Sequence, residues 1–148
     1  MEIINGERLV LGTCYYPEHW DESLWRDDLK RMLENGIEVI RIAEFAWSKI
    51  ERYEGVFNYD FFDRFLDVAA DMGMKVIFCT PTATPPAWLT EKYPEVLNAN
   101  MDGVLYRHGG RRHYNYNSPK YQELTRIIVE KSASHYAKHP AIIGWQID

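Results

Sequence analysis

Apolar and polar positions follow two alternating rhythms along this chain. Short apolar runs of strand character occur at Leu9 to Tyr15, Ile37 to Ile42, Lys75 to Thr80 and Ala141 to Ile147. Between them, apolar residues recur at helical spacing. The first helical stretch runs from Asp21 to Asn35. It puts Trp25, Leu29, Met32 and Leu33 on one face and Asp27, Lys30 and Arg31 on the other, and Asn35-Gly36 supplies its stop. The second is capped by Asn58 or Asp60, buries Phe62, Phe65, Leu66 and Ala69, and ends at Gly73. The third opens at Ser118-Pro119, a cap followed by proline at the first helical position. It runs to about Lys138, with Tyr121, Leu124 and Ile128 inward.

The resulting order is β-α-β-α-β-α-β, which implies parallel strands joined by right-handed crossovers. Turns from helix to strand are short: Asn35-Gly36, Met72-Gly73-Met74 and His139-Pro140. Segments from strand to helix are long and chemically rich: Tyr15 to Trp20, Glu44 to Trp47, and an excursion from Pro81 to Pro119. A (β/α)8 barrel builds its active site from loops of this kind, at the carboxyl ends of its strands. An open doubly wound sheet would use the same side at a switch point. However, polar or aromatic residues follow every strand here, and no Gly-rich phosphate loop follows the first. The expected fold class is therefore α/β, the N-terminal half (about four β/α units) of a TIM (β/α)8 barrel. A whole barrel needs eight strands and typically ~250 residues. Residues 1–148 are accordingly expected to be the N-terminal part of a catalytic barrel. Their free sheet edges and inner face would await the missing C-terminal half.

Composition narrows the picture. Hydrophobic residues make up 46% and charged residues 26%, a globular balance that excludes a disordered chain. The net charge of -5 weighs against nucleic acid or an anionic membrane as partner. No stretch reaches the length of a membrane span, and the N-terminus lacks the basic and apolar regions of a signal peptide. The expected location is cytoplasmic. Cys14 and Cys79 lie in apolar runs and are expected to be buried free thiols in a reducing compartment. Five Trp and ten Tyr fit either a large aromatic core or a carbohydrate site, because sugars present C–H faces that stack on flat rings.

Glu44 directly follows the apolar run VIRIA. A buried lone carboxylate costs several kcal/mol unless paired, on the order-of-magnitude estimate for ion burial. It is either a structural ion pair with a neighbouring strand or a hydroxyl-binding carboxylate at the barrel mouth. Arg41, three residues earlier, points to the opposite face of an ideal strand. Arg111 lies in Gly109-Gly110-Arg111-Arg112-His113-Tyr114. This is either a solvated basic turn or a tight segment whose guanidinium meets sugar hydroxyls or a catalytic carboxylate. Trp88, in the proline-bounded Pro81 to Trp88, belongs to rigid structure or forms a stacking wall. The same two readings apply to Trp20, Trp47 and Trp145. His19, His108, His113, His135 and His139 show no metal-ligand spacing, and the two cysteines are too isolated for a zinc cluster. His135 and His139 are expected to face a helix C-terminus.

GTCYYPEHW, RIAEFAWSKIE, TPTATPPAWL, EKYPE, RRHYNYNSP and HPAIIGWQID, in this order and spacing, resemble the N-terminal part of glycoside hydrolase family 42 β-galactosidases. The resemblance implies a (β/α)8 barrel that hydrolyses terminal β-D-galactosides with retention. It implies an acid/base Glu just after the position of Asp148 and a nucleophile Glu near the seventh strand, so neither catalytic residue is in this chain. Arg111 and Glu44 match the family's substrate-binding arginine and glutamate. Members often carry a four-cysteine zinc cluster starting just after RRHY. Asn115 stands there, so no metal and no cofactor are expected. The implied partners are a β-galactoside, the missing barrel half and further copies of the chain, since the family is commonly trimeric. Other readings are an α-L-arabinopyranosidase, or a non-catalytic half-barrel that binds glycans or assembles with itself.

Overall fold

A computed structural model describes residues 9–110 and 112–147. In chain order the elements are β1 (Leu11–Cys14), α1 (Trp25–Glu34), β2 (Ile37–Ile42), α2 (Trp47–Ile50), β3 (Glu51–Tyr53), β4 (Val56–Phe57), α3 (Asp60–Asp71), β5 (Lys75–Cys79), α4 (Ala87–Lys92), α5 (Pro119–Tyr136) and β6 (Ile142–Gln146). Two compact units result. One contains the described residues up to Ala43 together with Tyr59–Cys79 and Tyr136–Ile147, and the other contains Glu44–Asn58 and Thr80–His135.

The first unit is built on a parallel sheet of order β1-β2-β5-β6. Strand alternation sorts its side chains onto two faces. Ile40, Ile42, Val76 and Phe78 are fully buried on the helix-covered face. Phe62 of α3 meets Phe78 edge-on at 5.8 Å, and Trp25 of α1 meets Phe65 of α3 at 5.1 Å. Burying each such side chain contributes about 1.5–3 kcal/mol. The opposite face carries Cys14, Arg41, Ile77 and Gly144, which are paired in register across the four strands. Exposed ion pairs, Arg26 with Asp71 at 2.7 Å and Arg64 with Glu22 at 2.6 Å, tie the helical layer together and add little stability.

The four expected strands and three long helices are present, with revised ends. The first helix begins at Trp25 because Asp21 instead caps a 3-10 turn at Glu22–Leu24, where its carboxylate accepts from Ser23 N at 2.9 Å. Tyr59 stands at the start of α3 without a side-chain cap bond, Asp60 is the first helical residue, and Asn58 N donates to Ile50 O at 2.8 Å. Ser118 does cap α5, accepting from Tyr121 N at 3.4 Å. That helix ends at Tyr136, so His139 lies beyond it, 3.6 Å from Asp67. Cys79 is buried but Cys14 is exposed, because it sits on the face of β1 that no helix covers.

The second unit gives internal structure to segments that had no strand or helix pattern. β3 and β4 form a short hairpin pinned by the carboxylate of Glu51, which accepts from Trp47 Nε1 and from Gly55 N, each at 2.7 Å. Trp88 Nε1 donates to the Glu51 carbonyl at 3.0 Å, which makes Trp88 part of rigid structure. The long excursion contains α4 and two isolated antiparallel bridges, Leu97 with Tyr114 and Ala99 with Leu105.

Candidate sugar-binding site

Glu44 follows β2 after a single residue, Ala43, whose φ is +70°. An L-residue in that region costs about 1–2 kcal/mol, and such strain concentrates at functional sites. The left-handed residue breaks strand alternation, so the ideal-strand argument about the facing of Arg41 does not extend to Glu44. Glu44 is only 6% exposed and is not a solvated charge, which fits both a structural pairing and a hydroxyl-binding carboxylate.

Arg111 lies outside the described residues. The segment around it is firmly held. Gly109 and Arg112 adopt positive φ of 95° and 58°. His113 is 2% exposed, and its Nδ1 hydrogen-bonds the Gly110 carbonyl. The His113 carbonyl accepts from Asn98 N at 2.8 Å, and Asn115 N donates to Val96 O at 2.8 Å. Tyr114 stacks on Tyr121 with centroids 4.6 Å apart, and the Tyr121 hydroxyl donates to Thr82 O at 2.9 Å. Partial desolvation of the largely exposed His108 ring, and next the nearby His113, lower its pKa from the ordinary histidine value. His113 and Tyr114 are buried while Gly109, Gly110 and Arg112 are exposed, so both readings of Arg111 stay open.

The sheet adds a feature that sequence reasoning missed. From β2, Arg41 donates through Nη1 to Gln146 Oε1 on β6 at 2.5 Å and through Nη2 to Cys14 Sγ on β1 at 2.9 Å. One guanidinium thus ties both outer strands of the four on the face away from the helices. The pattern IEVIRI held the signal, as a charged residue interrupting an apolar strand, but its partner two strands away is invisible in sequence. The tryptophans divide by environment. Trp25 and Trp47 are core, Trp145 is half-buried 5.4 Å from Phe78, and Trp20 is 53% exposed. Trp20 borders a cleft of about 380 Å³ in the first unit, together with Tyr15, His19 and Asp28. Among the described residues, no three His, Cys, Asp or Glu side chains gather as a metal site.

The sequence profile of the β-galactosidase family, glycoside hydrolase family 42, matches residues 14–148. This chain belongs to that family. A family 42 relative from Thermus thermophilus, a β-galactosidase, is 45% identical over 139 residues, which are 94% of this chain and 22% of that protein. The β-galactosidase Bga of Halorubrum lacusprofundi is 43% identical over 93% of this chain and 20% of its own length. Among solved structures, the β-galactosidase of Marinomonas ef1 superposes with a TM-score of 0.91 at 43% identity, covering 95% of this chain and 21% of that one. The chain therefore spans about a fifth of the length of the relatives it matches. Its α/β fold is that of the N-terminal part of the family 42 (β/α)8 barrel. No described helix is long and apolar enough to cross a membrane.

Proposed function

We propose that this chain supplies the first four β/α units of the catalytic barrel of a retaining β-galactosidase, and that its residues 1–148 bind substrate without performing the chemistry. The whole enzyme hydrolyses terminal non-reducing β-D-galactose. Retention needs two carboxyl groups ~5–5.5 Å apart, one attacking the anomeric carbon and the other protonating the leaving oxygen. The acid must hold its proton near neutral pH while the nucleophile stays ionised. By resemblance both glutamates fall outside these 148 residues. Glu44 and Arg111 are the groups assigned here to the sugar, a carboxylate accepting from hydroxyls and a guanidinium donating to them. The observation carrying this reading is Glu44, 6% exposed behind a left-handed Ala43, at the position of the family's glutamate.

The enzyme acts in the cytoplasm on a soluble galactoside, takes no cofactor, and assembles with further copies of itself. Nucleic acid and membrane are not partners. The relatives named above are β-galactosidases, so the arabinopyranoside and non-catalytic readings gain nothing from them.

The test has two arms. Calorimetry of the chain with galactose should give weak, saturable binding that is lost in Glu44→Ala and in Arg111→Ala. A chromogenic galactoside should not be turned over. Hydrolysis above that of the Glu44→Ala, Arg111→Ala double variant would overturn the division of labour. Failure of galactose to bind would remove the site assignment.

A further inference from the structure

Glu44 lies in a short connection that cannot hold its own shape. It precedes α2, a single turn of four residues, and an isolated helix of that length is not stable. The segment takes its place from what it packs against. Trp47 and Ile50 are fully buried. The Phe45 carbonyl, one residue after Glu44, accepts from the Thr84 hydroxyl at 3.2 Å. Thr84 closes a loop with little freedom of its own. Pro81, Pro85 and Pro86 fix the backbone φ around it, and Pro81, Thr82 and Ala83 form a buried 3-10 turn. That turn is anchored to α5, where the Tyr121 hydroxyl donates to the Thr82 carbonyl at 2.9 Å. Tyr121 is buried, stacks on Tyr114 at 4.6 Å and lies 6.3 Å from the Trp47 ring. Two hydrogen bonds in series thus run from α5 through the proline-bounded loop to the backbone beside Glu44, and all these residues belong to the second unit.

We propose that Thr84 and Tyr121 are positioning residues for galactoside binding, which hold the backbone at Glu44 so that its carboxylate meets a sugar hydroxyl. This deepens the binding role given to Glu44 above and rests on it. A hydrogen bond weakens steeply outside a narrow range of distance and angle, and a binding group has to be held to within about 0.5 Å of its productive place. The rest of the connection does not supply that precision, but the relay does. Thr84 suits the task because branching at Cβ restricts its χ1 and so fixes the direction of its hydroxyl. Tyr121 suits it because its ring is clamped by aromatic neighbours while its hydroxyl reaches the loop. Neither residue touches the sugar, and each acts through the next.

The experiment is a galactose titration of the 15N-labelled chain followed by NMR, with urea midpoints measured in parallel. Thr84→Val keeps the shape and removes the hydroxyl. It should weaken galactose binding about two- to tenfold, the range for one lost neutral hydrogen bond. Thr84→Ser returns the hydroxyl and should recover most of the affinity. Tyr121→Phe keeps the stacked ring, removes the bond to the loop, and should weaken binding comparably. Adding it to Thr84→Val should bring little further loss, because the two bonds act in series. Multiplying losses would show separate routes and overturn the relay. If Thr84→Val lowers the urea midpoint but leaves galactose affinity unchanged, the bond is merely structural. This inference then fails, and the role of Glu44 stands. If the wild-type chain binds no galactose, both fail. Should the variants not fold, the wild-type titration decides: the Phe45 and Thr84 amides should move together along one saturation curve, and movement of Phe45 without Thr84 would overturn the proposal.

Discussion

The indole N–H of Trp47 and the carboxylate of Glu51 meet at 2.7 Å, one helical turn apart, with both residues almost wholly buried. Burial raises the Glu51 pKa above the ordinary carboxylate range. The bonds from Gly55 and Trp47 oppose that rise, and nearby Glu54 adds to it. The folded chain therefore holds this proton more tightly than the unfolded chain does. Its contribution to stability is complete below the ordinary glutamate pKa and is lost as pH climbs through the higher folded value. Urea titrations of wild type and Glu51→Gln between pH 4 and 7 should show the wild-type advantage shrinking as pH rises. A difference independent of pH would refute this. Trp47→Phe removes one donor from the buried acid and should cost about 1–3 kcal/mol.

Ala43 offers a gain. Its φ of +70° is strained for any residue with a Cβ, and glycine removes that strain at a smaller entropic cost. Ala43→Gly should raise the urea midpoint by an amount equivalent to up to about 1 kcal/mol. Ala43→Val should lower it, because a β-branched side chain tolerates this region worst. Destabilisation by glycine would mean that the alanine methyl packs more usefully than its backbone strains.

Gly12 tests the pairing of β1 with β2. A Cβ there would lie 2.9 Å from the Val39 carbonyl oxygen and 3.3 Å from Val39 Cβ, so backbone would have to move. Gly12→Ala should cost about 1–3 kcal/mol, as overpacking does. Hydrogen exchange would locate the damage: amides of β1 and β2 lose protection while those at the β5–β6 junction keep theirs. Uniform loss across the sheet would argue against a local clash.

The elements with strong periodicity were legible in sequence. Phe62, Phe65, Leu66 and Ala69 are all fully buried, as their spacing requires, and Ser118-Pro119 opens its helix as written. The hairpin at Glu51 to Phe57 was not legible. Its strands are two and three residues long, and its anchor is a buried acid whose partners are an indole and a backbone amide. Asp21 misled because a capping residue serves a 3-10 turn as well as an α-helix. At the site, Glu44 stood out as a charge closing an apolar run. The left-handed Ala43 before it did not, because alanine carries no mark of positive φ. The Arg41–Gln146 bond was hidden for a different reason: its two residues lie 105 positions apart, and no local pattern encodes that distance.

Among the described residues, no strand pairs with the outer side of β1, where Leu9 and Leu11 are 85% and 50% exposed. An open row of amides and carbonyls beside bare leucines accepts any extended backbone that arrives. The isolated polypeptide will therefore behave as a concentration-sensitive material, dispersed when dilute and prone to stack edge upon edge when crowded. Its yield from refolding will depend on how soon that seam is occupied.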